Sequence, residues 1–202
     1  MYKKIKIYLI GLTVMAAVLA TSNQPLNAQE QRDVSFGFSI MFGGRYDDLR
    51  MCVATPAGVK GGMIGDIAFN TRFHVRENLD MVFTLPVMRP ILFALAFQML
   101  QFEPEVTFEF KHPLGGDSVL VAGVGLGASF HYGPDYKSDL ENRGESFFAL
   151  GPFFSGILGI GFPGVARKDT LVGVRAFYVP LFSKDRAPGT VIGGTLEGQM
   201  YF

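Results

Sequence analysis

From Val34 onward, large apolar residues recur at every second position of this chain. Val34, Phe36, Phe38, Ile40 and Phe42 share one face, with Ser35, Gly37, Ser39 and Met41 on the other. Ile67, Phe69, Phe73 and Val75 alternate with Asp66, Ala68, Asn70, Arg72, His74 and Arg76. Phe102, Val106, Phe108 and Phe110 alternate with Glu103, Glu105, Thr107, Glu109 and Lys111. A period of two places successive side chains on opposite faces of a β-strand. The pattern predicts eight strands, near 34–46, 61–76, 79–88, 100–111, 119–132, 147–162, 170–182 and 190–202.

The length and spacing of these strands point to a membrane. Several exceed ten residues, against a usual strand of about 5–6. Fourteen residues at about 3.3 Å each, tilted near 40°, rise roughly 35 Å along a barrel axis, enough for a hydrocarbon core and its rims. The connections alternate in length. Glu77 with Asn78, 112–118 and 163–169 are turn-like, while 47–60, 89–99, 133–146 and the shorter 183–189 are loops. Residues 147–166 carry no charge and are long enough for a transmembrane helix. Gly151, Pro152, Gly156, Gly159, Gly161, Pro163 and Gly164 disfavour that reading, and the alternation of Phe148, Leu150, Phe154, Leu158, Ile160 and Phe162 with small residues supports a strand.

Composition reinforces the all-β reading. The 202 residues include 25 Gly and 20 Phe but no Trp; 49% are hydrophobic and 18% charged. That much Gly disfavours a helical bundle, and abundant Phe with little charge disfavours disorder. The formal net charge is zero, but Lys3, Lys4 and Lys6 lie in the first 28 residues, which hold no acid, so the remainder is net negative. A nucleic-acid partner is therefore not expected. Lys3, Lys4 and Lys6 precede an apolar stretch at 7–20, the pattern of a secretory signal peptide. Cleavage is expected after Ala20 or Ala28, giving a signal peptide at 1–28 and a barrel at 29–202. A short N-terminal anchor is the competing reading. Cys52 stands alone, excluding an intrachain disulfide, and lies too far from the signal segment to be a lipidated N-terminus.

The final strand alternates Ile192, Leu196, Met200 and Phe202 with Gly and polar residues, and the sequence closes on an aromatic. This resembles the assembly signal of bacterial outer-membrane barrels. With the signal segment and strand count, the chain resembles the small eight-stranded barrels of the OmpA/OmpX/OmpW type. The absence of Trp departs from their usual aromatic girdle. The resemblance implies an antiparallel up-and-down barrel in the outer membrane of a diderm bacterium, with outer-membrane lipid and the barrel assembly machinery as partners and Phe202 as the recognition residue.

If the large residues face lipid, the other face lines the lumen. It collects Asp66, Arg72, His74, Arg76, Glu103, Glu105, Glu109, Lys111, Arg175, Glu197 and Gln199. Buried charges must pair or stay hydrated, so a mutually neutralising network is expected. A hairpin centred on Arg186 sets Arg175 opposite Glu197, and a turn centred on Asn78 sets Arg76 opposite Asp80. Arg72 is expected to reach the Glu103, Glu105 and Glu109 column across Thr84. Phe153, Phe177 and Leu181 also point inward. An eight-stranded interior is about filled by side chains, so a plugged, structural lumen is expected, with a selective pore as the alternative.

Other chemistry is thinner. Ser129, His131 and an acid from Glu141 or Glu145 form the ingredients of a hydrolase triad, but alternation turns Ser129 and His131 toward the lumen, away from lipid substrates. His74 and His112 lack ligand spacing, and no metal or cofactor is expected. Gly123, Gly125 and Gly127 lack the strand-to-helix setting of a nucleotide loop and read as close packing in a narrow barrel. The segment 90–100 is apolar although it belongs with the outer loops. Ile91, Leu92, Phe93, Leu95 and Phe97 form a candidate hydrophobic contact loop, expected as a strand extension, with folding into the barrel mouth or the outer leaflet as alternatives. The polar loop 133–146 is a candidate contact for a surface ligand. The expected function is a non-enzymatic envelope barrel. A narrow conduit for small hydrophobic solutes, as the OmpW resemblance implies, is the alternative, with a lipid A-modifying enzyme more distant.

Overall fold

In the computed structural model, residues 34–49, 60–95, 99–116, 118–134, 145–165, 168–184 and 186–202 are described. The expected signal segment, its two cleavage points, Cys52, Phe97, Glu141 and most of loop 133–146 lie outside them.

The chain forms β1 (Val34–Asp47), β2 (Gly62–Arg76), β3 (Leu79–Pro86), helix α1 (Met88–Leu95), β4 (Leu100–Phe102), β5 (Glu105–Gly115), β6 (Ser118–Pro134), β7 (Ser146–Val165), β8 (Lys168–Ser183) and β9 (Gly189–Tyr201). Every pairing is antiparallel. The ladder runs β5–β3–β2–β1–β9–β8–β7–β6, and β6 returns to β5, closing an all-β barrel of eight staves. β4 prolongs the β5 stave along β6.

Alternation dictates the two faces. Phe36, Phe38, Ile40, Leu126, Leu158 and Leu196 are exposed on the outside, up to 66% for Leu196. Ser39, Asp66, Arg72, Glu105, Arg175 and Glu197 are buried inside. The uncharged segment read as a strand is β7, and among the described residues no helix is long and apolar enough to cross a membrane. Closure brings Phe202 beside Phe38, with ring centroids 6.0 Å apart, and its N–H donates to the Phe36 carbonyl at 2.9 Å. The β5–β6 turn uses Gly115 and Gly116 at φ of 104° and 60°, a left-handed region that Gly occupies without steric cost.

The structure departs from the sequence reading between 86 and 105. β3 stops at Pro86, α1 follows, and the expected fourth strand is divided at Pro104. Proline supplies no N–H to a ladder, so a central strand cannot run through these positions unaltered. Pro90 lies in the first turn of α1, where its missing N–H costs nothing, and Ile91 N–H bonds back to Val87 at 3.2 Å. In place of the strand extension expected over 90–100, the described residues up to Leu95 form a helix, and strand resumes at Leu100.

Candidate functional site

The lumen holds the charged side chains of the strands. Here the barrel end bearing the tight β2–β3, β5–β6 and β7–β8 connections is termed the turn end, and the other the loop end. Arginines occur at three levels between them, each from a different part of the chain.

At the turn end, Arg72 of β2 lies 3.4 Å from Asp80, 3.2 Å from Asp169 and 4.0 Å from Glu109. Its guanidinium also stacks 3.4 Å above the Tyr201 ring. Asp80 further receives Lys111 and lies 2.6 Å from His74 Nδ1. Tyr201 donates to Gln199 at 2.8 Å, and Gln199 donates to Glu197 at 3.0 Å and Glu109 at 3.3 Å. At mid-barrel, Arg175 of β8 grips Glu197 with two donors, at 2.5 and 3.2 Å, and donates to Glu105 and to Ser155, the latter at 3.1 Å. Such bidentate charged bonds are among the strongest a side chain makes. At the loop end, Arg89 of α1 donates to Asp66 at 2.5 Å, Glu103 at 2.9 Å and Gln101 at 3.2 Å. Ser129 donates to Glu103 at 3.1 Å, and His131 Nε2 stands 3.1 Å from the same oxygen. Arg45 and Asp47 of β1 pair at 2.6 Å nearby.

Apolar residues fill the remaining lumen. Met99, Phe147, Phe153, Phe177, Val179, Leu181 and Val191 cluster toward the loop end, and Val119, Val121, Ile157 and Leu171 toward the turn end. A void of about 30 Å³ lies between Asp66, Arg89, Glu103, Glu105, Arg175, Phe153 and Phe177. It has room for roughly one or two waters. The glycines of β6 leave no slack: a Cβ at Gly125 would stand 2.2 Å from Ser155 Oγ and 2.5 Å from Glu105 Oε2.

Asp66, Arg72, His74, Glu103, Glu105, Glu109, Arg175 and Glu197 all line the lumen, but their partners differ from those expected. Arg175 is directly opposite Thr195, a register two residues away from that inferred, and reaches Glu197 diagonally. Asp80 faces His74, because a bulge between His74 and Arg76 shifts the β2–β3 register. The same bulge turns Arg76 out of the lumen, where it is exposed. Arg72 meets Glu109 but not Glu103 or Glu105, which face Arg89 and Arg175 instead. Arg45 and Asp47 continue the inward face of β1 and were readable from that alternation. Arg89 was not, because it sits in a segment whose period suggested neither a lumen nor a helix.

The apolar loop residues divide. Ile91 and Leu95 are exposed on α1, at 55% and 72%, whereas Leu92 and Phe93 are half-buried, Phe93 edge-on to Tyr132 at 6.1 Å. Ser129 and His131 do not form a relay: Glu103 lies between them, whereas a triad requires His between the hydroxyl and the acid. Among the described residues no group of three His, Cys, Asp or Glu is placed to hold a metal ion.

No protein-family model and no curated protein matches this sequence. Among solved structures, the chain is similar to the crystal structure of Neisserial surface protein A, an eight-stranded outer-membrane barrel, with a TM-score of 0.50 and 10% identity over 84% of this chain and 98% of that one. At this identity the likeness is one of fold, and the fold shared is a closed antiparallel β-barrel.

Proposed function

We propose that this protein is an integral outer-membrane barrel of the small OmpA/OmpX/OmpW type, exported by its first 28 residues, non-enzymatic, and closed along its lumen. Its work is then structural support of the envelope and contact through the outer loops. The observation that carries this reading is the filled interior. Arg72 and Arg175 pair with carboxylates of other staves, Arg89 pairs with Asp66 and Glu103, and the void beside Arg89 and Arg175 is water-sized. Conduction through such a lumen requires breaking desolvated ion pairs, at several kcal/mol each. The apolar outer face supports residence among lipid chains, and Phe202 at the closing seam supports recognition by the barrel assembly machinery. Planar-bilayer recording of the refolded protein tests closure. Electrical silence is expected, while steady single-channel steps lost on Arg72→Ala or Glu105→Ala would establish a lumenal pore instead. Heat-dependent gel mobility tests the barrel itself.

A second reading, a conduit for small hydrophobic solutes, is favoured by one observation. The loop-end lumen is walled by Met99, Phe147, Phe153, Phe177 and Leu181, an apolar lining where a plug of charge alone would not require one.

A further inference from the structure

Charge in the lumen is unevenly matched. Among the described side chains, each level holds one acid more than its basic partners. At the turn end, Arg72 and Lys111 meet Asp80, Glu109 and Asp169, and His74 touches Asp80 at 2.6 Å. At the loop end, Arg89 meets Asp66 and Glu103, and His131 lies 3.1 Å from Glu103. A proton on either histidine balances its level. Mid-barrel has no such reserve. Arg175 alone serves Glu105 and Glu197, and the other groups that reach them, Ser155 and Gln199, are uncharged. A buried carboxylate without a counter-charge is too costly to persist, so this level requires one further positive charge.

The space for that charge is adjacent. The void of about 30 Å³ borders Glu105 of this level and Asp66 and Glu103 of the next, three acids against the guanidiniums of Arg175 and Arg89. Thr84 and Thr195 complete its polar wall. They are only 2% and 7% exposed, and neither hydroxyl has a hydrogen-bond partner among the described residues. The ladder fixes both: Thr84 lies directly opposite Glu105, and Thr195 directly opposite Arg175. A carboxylate and two hydroxyls thus border one water-sized space. A proton on Glu105 would cancel the charge but engage neither threonine. A hard cation takes carboxylate, hydroxyl and water oxygens together. Calcium asks for about six to eight oxygens and brings a second charge, for which the void has no room.

We propose that this void is a binding site for one monovalent alkali cation, Na⁺ or K⁺, held by the Glu105 carboxylate and the hydroxyls of Thr84 and Thr195. The bound ion is then a working part of the plug, supplying the charge that Arg175 cannot. The proposal rests on the closed-lumen reading, because a hydrated pore would screen these carboxylates without a bound ion. It makes the stability of the barrel depend on which cation is present, beyond the ionic strength.

The test folds the full chain in sodium, potassium or N-methylglucamine chloride at one ionic strength, the last cation being too large for the void. The readout is the urea midpoint of the heat-modifiable band. Once the site is filled, the folded-to-unfolded ratio should rise roughly tenfold for each tenfold increase in the alkali cation. Thr84→Val keeps the size and charge of the site but removes one oxygen. It should raise the cation concentration needed by about tenfold or more. Glu105→Gln leaves Arg175 and Glu197 one to one and should abolish the dependence, whereas the exposed Arg76→Gln should keep it. Equal midpoints in all the salts would overturn the proposal, as would a dependence that survives Glu105→Gln. Crystals of the unsubstituted protein grown with thallium(I) nitrate, in place of potassium, decide the matter even where a variant fails to fold. An anomalous peak among Glu105, Thr84 and Thr195 is expected, and its absence overturns the site. Steady single-channel steps would reject the closed lumen and the site with it, whereas electrical silence with equal midpoints rejects the site alone.

Discussion

The β6–β7 wall and the β2–β3–β4 wall enclose the same lumen in different ways. In the first, pairing runs unbroken from Val119 opposite Gly161 to Pro134 opposite Ser146, and inward glycines of β6 stand against larger residues of β7. Gly123 makes room for Ile157, and Gly125 for Ser155 and Glu105. In the second, Pro86 and Pro104 interrupt the strands, and a helix whose Arg89 pairs with the buried carboxylates of Asp66 and Glu103 replaces the missing ladder. The first wall is held by many modest contacts at once, the second by a few strong ones. A region of the latter kind opens locally at a lower free energy than the whole molecule.

The comparison is tested most severely at mid-barrel. Arg175→Gln leaves Glu105 and Glu197 buried without their cation and should lower stability by about 3–5 kcal/mol, read as the urea midpoint of the heat-modifiable band. Gly125→Val tests the tightness of the continuous wall. It must displace Ser155 and Glu105 from Arg175, at an expected cost of about 1–3 kcal/mol in the same titration. Arg89→Gln should cost less globally, about 1–2 kcal/mol, because the helix it anchors contributes little buried surface. Should it cost as much as Arg175→Gln, the two walls are energetically one unit and the contrast fails. Arg76→Gln is the smallest. With the bulge turning Arg76 outward, no shift of the midpoint is expected; a loss comparable to that of Arg175→Gln would return it to the network.

How far the lumen was legible follows from these cases. Parity of position told which side chains enter it, and Asp66, Arg72, Glu105, Arg175 and Glu197 lie on that face. Partners were less legible. A register displaced by two residues keeps every side chain on its face, so alternation cannot distinguish Arg175 opposite Glu197 from Arg175 opposite Thr195. The bulge between His74 and Arg76 is an odd displacement and so changes a face, and it misplaced Arg76 alone among the charged positions singled out.

Period two in the amino-acid sequence, sustained over long segments rich in Gly and Phe, was enough to determine an all-β chain with an apolar outside and a charged inside, because side-chain direction in a strand depends on nothing beyond position parity. Tertiary structure decided what parity leaves open. The stagger of the staves assigned Arg72 to Asp80 and Asp169 and gave Glu103 to Arg89. The mostly apolar run after Pro86 became a helix because its proline-interrupted neighbours offered no ladder to join, and a short segment without a backbone partner satisfies its own hydrogen bonds by coiling.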